Sequence, residues 1–305
     1  VNAALVTGNF GFVGRHVEAA LRERGWDVSG MDVRCGPTFD CRALLQMRDV
    51  PRFDLVIHCA ARIGGRQGIE GDPLGVAVNL DLDQAVLRWA ATARPGRLVY
   101  LSSSAVYPVG LQGPRPAATG RGPAVVGEWA GLSEDQAEVD DYHGAPDRTY
   151  GWAKLVGEAL AAELRTSGVP VTVLRPFSGY GADQTPDYPF RAFIERARRR
   201  EDPFVVWGTG RQARDWVHVD DLVAAMLAAV DAGLDGPVNV CTGRATTMTE
   251  LARMVCAAAG YQPEIAPRPE KPAGVAWRVG DPTRLRELYT PAVSLEDGIK
   301  RALAG

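Results

Sequence analysis

Residues 3–14, AALVTGNFGFVG, constrain the fold of this chain more than any other stretch. An apolar run stops at Gly8, and Gly8, Gly11 and Gly14 follow in a G-x-x-G-x-x-G spacing, opening the amphipathic GRHVEAALRERG. Strand, glycine turn and helix in that order begin a βαβ unit. The pattern continues: DVSGMDV, DLVIHCAA, RLVYLSS and VPVTVLRP read as strands, and LDQAVLRWAATA and YGWAKLVGEALAAELRTSG as helices. Such alternation predicts an α/β fold, a Rossmann-type doubly wound parallel sheet. Gly25, Gly168 and Gly233 stand where helices should end.

Beyond Pro176 the rhythm loosens. VHVDDLVAAMLAAVDAG, GPVNVCTG, TMTELARMVCAAAG and SLEDGIKRALAG still alternate strand and helix, with Asp220, Thr247 or Thr249, and Ser294 as helix caps. We therefore expect a smaller C-terminal lobe over the sheet's C-terminal edge, where open α/β sheets bind ligands. The expected division is 1–175 plus about 215–241 for the sheet domain, and 176–214 with 242–305 for the lobe.

A net charge of −3 gives no electrostatic reason to expect nucleic acid or an acidic membrane surface. No apolar stretch is long enough to span a bilayer and no leader pattern opens the chain, so a cytoplasmic location is expected. Five cysteines without a C-x-x-C pair read as reduced thiols, and no metal site is expected. Residues 108–131, rich in Gly and Pro, read as a surface loop or a lid. ERARRRED, 195–202, reads as the solvated face of a helix.

The glycine turn has a chemical reading. Gly8, Asn9, Phe10, Gly11, Phe12, Val13 and Gly14 bring backbone N–H groups and a helix N-terminus to one place, as a dinucleotide pyrophosphate requires. The second strand ends at Asp32, where an acid accepts hydrogen bonds from the adenosine ribose and repels a 2′-phosphate. NAD is favoured, with Arg34 two residues later leaving NADP open. Tyr150 and Lys154 in TYGWAK lie four apart and share one helix face. A lysine ammonium beside a phenol favours phenolate, so Tyr150 suits proton removal while hydride leaves the same carbon. YLSSSAVYP, 100–108, adds three serines at a strand tip, more hydroxyls than a strand end needs.

TGNFGFVG, HCAA, SSSAVYP, YGWAKLVGE, LRPFSGYG and RDWVHVDD, in this order, resemble the extended short-chain dehydrogenase/reductase family, which includes nucleotide-sugar epimerases, dehydratases and 4-keto reductases. The resemblance runs to GDPTRL and SLEDGIKRAL near the end. It implies a lobe carrying NAD(P), a lobe clamping a nucleotide diphosphate-sugar, and a homodimer formed through a helix pair. It implies Ser103, Tyr150 and Lys154 as the catalytic set, with Lys154 also holding the nicotinamide ribose. Asp40 and Cys41 would lie by the adenine, and Cys59, Ala60 and Ala61 would line the cofactor. Ser104, Ser178 and Arg214 would meet substrate, with Lys271 or Arg278 on its phosphates. The alternative for Arg214 is a structural ion pair with Asp215 or Asp220. Ser178 and Gly179 replace the family's usual Asn-Val, which remakes one phosphate contact. AARIGG and VYP resemble the branch that contains GDP-fucose synthase and GDP-mannose 3,5-epimerase.

The family's reactions differ in the acids and bases around the sugar. The resemblance implies that a 4,6-dehydratase carries Asp-Glu where this chain has Ser104 and Ala105, and neither residue can act as a carboxylic acid. A 3,5-epimerase carries Cys at the Ala105 position and a base where Asp183 stands, so that reaction and the related two-step reduction are disfavoured too. A 4-epimerase needs least beyond Ser103, Tyr150, Lys154 and held NAD. The expected activity is epimerisation of a nucleotide-sugar at C4 through a 4-keto intermediate. The alternatives are a dehydratase or 4-keto reductase of the same family and, more remotely, a non-catalytic NAD-binding regulator.

Overall fold

A computed structural model describes residues 2–46, 52–64, 71–113, 131–138 and 144–305. Most of the stretch expected to form a loop or lid therefore lies outside the described residues. Six strands, β1 (Ala3–Thr7), β2 (Asp27–Met31), β3 (Leu55–His58), β4 (Arg97–Leu101), β5 (Val171–Pro176) and β9 (Gly236–Val240), form one sheet in the order β2-β1-β3-β4-β5-β9. Every pairing in it is parallel. Parallel strands buried on both faces read as continuous apolar runs, and LVIH of β3 is buried at all four positions. The order reverses direction between β1 and β3, which opens a crevice beyond their C-terminal ends.

Helices cover both faces. α1 (Phe12–Glu23) and α5 (Val219–Asp231) pack on one, where Val17, Leu21, Leu222 and Met226 join Val6, Ile57 and Val99. α2 (Val78–Ala93) and α3 (Arg148–Thr166) pack on the other, through Val86, Trp89, Ala161 and Leu164 against Leu5, Val56 and Leu98. The remaining strands, β6 (Ser178–Tyr180), β7 (Phe204–Trp207), β8 (Ala213–His218), β10 (Ala245–Thr247), β11 (Ile265–Arg268) and β12 (Trp277–Arg278), stand apart from that sheet. β8 pairs with β6, β10 and β12, and β7 pairs with β11. α4 (Pro189–Arg198), α6 (Met248–Ala258) and α7 (Leu295–Ala304) enclose a separate core with Tyr180, Phe190, Phe204, Leu251 and Ile299.

One expected helix cap changes and one alternative is decided. α5 is capped by His218, whose Nδ1 accepts the Asp220 N–H, because the helix begins at Val219, before the aspartate. α6 is capped by Thr247 in a reciprocal capping box with Glu250. The charge run is exposed at Arg198, Arg199 and Arg200, and two of these arginines also reach helix ends: Arg198 donates to the Ala302 carbonyl and Arg200 to those of Ala259 and Gly260. Those carbonyls end α7 and α6, where guanidinium groups offset the negative helix pole.

Candidate active site

The glycine turn is folded tightly against the end of β3. Gly8 has φ +70°, and a Cβ there would stand 2.7 Å from Ala60 Cα. A Cβ on Gly14 would stand 2.1 Å from the Gly8 carbonyl oxygen, so only glycine fits. Gly11 is the N-cap of α1, which therefore has no side-chain cap, and its first turn carries no acid. Its N–H groups and positive pole are therefore left for an external anion. Asp32, at the tip of β2, accepts the Phe10 N–H at 3.2 Å and the Arg34 N–H at 3.0 Å. The Arg34 guanidinium folds back onto the Phe10 carbonyl at 2.6 Å. Asn9 donates to Glu18 at 2.8 Å over Gly30, and Phe12 and Val13 begin α1. An uncapped helix N-terminus and a tight glycine turn with an acid at the next strand tip fit a dinucleotide.

Cys59 and Ala60 line the turn after β3, half-buried beside Gly8, followed by Ala61. Cys59 lies near Lys154, and burial pushes its thiol up to about 12. Asp40 is held by Arg42 at 2.5 Å, which keeps its carboxyl below the usual range. Cys41 is buried in the core beside it.

Above the crevice lies the serine loop. Ser103 caps the 3-10 turn Ser104–Val106, accepting the Ala105 N–H at 3.1 Å. Its side chain also bonds the Tyr150 hydroxyl. α3 reaches this loop because residue 151 is glycine: a Cβ there would lie 2.4 Å from the Ala105 carbonyl oxygen. That same carbonyl accepts the Asp147 N–H at 2.9 Å, which docks the first turn of α3 on the loop. Burial pushes the Tyr150 phenol up to about 12; the Ser103 bond opposes this, Asp83 adds to it, and Arg278 opposes it. Lys154, one turn along, is buried and lies 3.4 Å from Asp83.

Arg278 brings β12 to this point. It donates to Gln112 at 2.5 Å and to Asp147 at 2.8 Å. In the β8–β12 register Arg278 is the partner of Arg214. Arg214 does not pair with Asp215 or Asp220. It donates to the carbonyls of Val275 at 2.8 Å and Ala273 at 3.1 Å. Asp215 instead collects the N–H groups of Thr242 and Gly243 and the Thr242 hydroxyl, and Asp220 meets Arg301. Lys271 stands exposed on the turn after β11. Ser178 is half-buried on β6, and Ser104 is buried. The structure thus brings Ser103, Tyr150, Lys154 and Arg278 together and leaves Lys271 on the surface.

Spacing did not reveal Asp83, Asp147 or Gln112, because each reaches the site from a different element. Asp183 is also committed elsewhere. It bridges Arg15 at 2.6 Å and His16 at 2.9 Å, both on α1; despite burial, these partners hold its carboxyl below the usual range. Among the described residues no cluster of His, Cys, Asp and Glu suits a metal ion.

Residues 4–241 match the model of the NAD-dependent epimerase/dehydratase family. The chain belongs to that family. It is an NAD-dependent enzyme of the extended short-chain dehydrogenase/reductase fold. Among its relatives are GDP-L-fucose synthase 1 of Arabidopsis thaliana, 28% identical over 97% of this chain and 90% of that one. The dTDP-4-dehydro-6-deoxy-D-allose reductase of Streptomyces bikiniensis is 29% identical over 93% of this chain and 89% of that one. The UDP-glucose 4-epimerase of Thermotoga maritima superposes with a TM-score of 0.82 at 26% identity, covering 99% of this chain and 97% of that structure. The relatives thus include nucleotide-sugar epimerases and reductases.

Proposed function

We propose that this enzyme epimerises a nucleotide diphosphate-sugar at C4 through a 4-keto intermediate. The observation that carries this reading is the serine loop itself. The Tyr150 hydroxyl is bonded to Ser103, and Ala105, which has no proton to give or take, stands at the position where the resemblance puts a dehydratase's acid. Tyr150 takes the C4 hydroxyl proton, Ser103 orients that hydroxyl, and Lys154 favours the phenolate. NAD, when bound, supplies the hydride acceptor and returns the hydride. Asp183, tied to α1, does not serve as a base at C3 or C5.

Arg214 and Arg278, partners in register, are proposed to meet the substrate diphosphate, since side chains at paired positions leave the same sheet face. Ser104 and Ser178 are the proposed sugar and phosphate contacts. The NAD-contacting set remains residues 8–14, Asp32, Asp40, Cys41, residues 59–61, Tyr150 and Lys154. We propose the lobe division 1–175 plus about 215–241 against 176–214 with 242–305, supported by β9 joining the main sheet.

Incubating the protein with a panel of nucleotide-sugars in deuterated water tests the reaction. The expected product differs only at C4 and carries no solvent deuterium, because the hydride returns from NAD. Dehydration is the second reading, favoured by the buried Asp147 carboxylate beside the loop. Deuterium at C5 or C6 with loss of water would establish it and overturn C4 epimerisation. Net consumption of NAD(P)H would establish the reductase.

The assembly proposed is a homodimer. Trp152, Val156 and Leu160, spaced by four on α3, form an exposed apolar stripe, with Leu80 exposed on neighbouring α2. A second copy presenting the same stripe would bury it through an isologous contact. Val156→Asp should convert the dimer to monomer by sedimentation, and a wild-type monomer would refute the assignment. No helix among the described residues is long and apolar enough to cross a membrane.

A further inference from the structure

A second polar cluster lies beneath the catalytic pair. Asp83 on α2 is 1% exposed, and buried carboxylates need partners. One oxygen accepts the Tyr100 hydroxyl at 2.5 Å. The other accepts His58 Nε2 at 3.0 Å and faces Lys154 Nζ at 3.4 Å. The ammonium also sits 4.7 Å from the centre of the Tyr100 ring. On its far side His58 Nδ1 meets the Thr7 hydroxyl at 2.7 Å. With Thr7 donating to Nδ1, the imidazole N–H is on Nε2 and donates a hydrogen bond to Asp83. Thr7 and His58 end β1 and β3, so this chain of contacts runs from the crevice to the catalytic lysine.

We propose that Asp83 is a positioning residue: it anchors the Lys154 ammonium at the floor of the cofactor crevice and balances its charge beneath Tyr150. This rests on the catalytic pair proposed above. A lysine stem has many rotamers, and three fixed contacts around one carboxylate remove that freedom before the cofactor arrives. The pairing also tempers the field at Tyr150, because a bare ammonium would draw the phenol toward ionisation without substrate. Burial opposes the Asp83 charge, but Lys154, His58 and Tyr100 outweigh it and hold the carboxyl below the usual range. The other groups facing this cluster are Cys59 after β3, Glu158 and Tyr150 on α3, Cys41 beside α2, and Arg278 from β12.

The test is direct titration of Tyr150, which needs no turnover. Protein carrying ¹³C at the tyrosine ζ carbons is loaded with NAD, and the Tyr150 signal is assigned by its loss in Tyr150→Phe. Asp83→Asn, near-isosteric, should give about tenfold more phenolate at fixed pH, a shift of about one pKa unit. Lys154→Met should give less phenolate than wild type, and the double variant should return near wild type because both charges are gone. A phenolate fraction in Asp83→Asn within about twofold of wild type would overturn the proposal. If that variant does not fold, the double variant is compared with Lys154→Met: about tenfold more phenolate supports the proposal, and equal fractions overturn it. Unimpaired turnover by Tyr150→Phe would instead defeat the catalytic pair, so the two failures are distinct.

Discussion

Replacing Tyr150 by phenylalanine should cut turnover about 10²–10⁴-fold while leaving NAD affinity within a few-fold of wild type. The phenylalanine ring keeps the packing of the first turn of α3 against the serine loop. What disappears is the only hydroxyl on that helix face that bonds Ser103 and stands one turn from Lys154. Ser103→Ala should cost less, because it removes one hydrogen bond to the phenolate and leaves the base in place. The ordering matters more than either value. Equal losses from both variants would mean the serine also moves a proton. The measurement is kcat on whichever nucleotide-sugar the panel identifies, with NAD affinity followed by calorimetry. Turnover by Tyr150→Phe within tenfold of wild type would remove Tyr150 from the mechanism.

The geometry of the candidate cofactor site was legible because it is local. A glycine turn, a helix start and an acid at the next strand tip lie within residues 8–32, and neighbours in sequence are neighbours in space. The serine stretch YLSSSAVYP was only partly legible. Ser103 meets Tyr150 as expected, and the neighbouring Ser102 donates to the buried Glu158 at 2.5 Å. That partner is 56 residues away on α3, and no periodicity predicts such a pairing. Asp83 was hidden for the same reason, since it reads as an ordinary polar residue of an amphipathic helix. Its partners His58, Tyr100 and Lys154 come from β3, β4 and α3. Polar residues that face inward satisfy one another across elements, and their geometry exists only once the layers have packed. The carbonyl partners of the arginine run were hidden for a related reason, because they are helix ends distant in sequence.

The largest loss of stability should come from Arg175→Met. Arg175 and Glu158 are buried, and their ion pair is 2.7 Å long. The guanidinium also donates to the carbonyls of Glu134 and Ala137 and to the Tyr107 hydroxyl, which itself donates to Asn239 at 2.6 Å. Methionine fills much of the volume and leaves the Glu158 carboxylate in the core with Ser102 as its one remaining hydrogen-bond partner among the described residues. Removing one member of a buried pair typically costs about 3–5 kcal/mol, more than the pair contributes by existing. The expected result is a fall in melting temperature of roughly 5–8 °C. Removing both charges, as Glu158→Gln with Arg175→Met, should recover more than half of that loss, because the uncompensated carboxylate is the dominant cost. The double variant should still be impaired in turnover. Glu158 lies one turn beyond Lys154 on α3, and through Ser102 it ties that helix to the tip of β4 just before Ser103. A double variant no more stable than Arg175→Met would show that the lost carbonyl contacts, and not the stranded charge, set the cost.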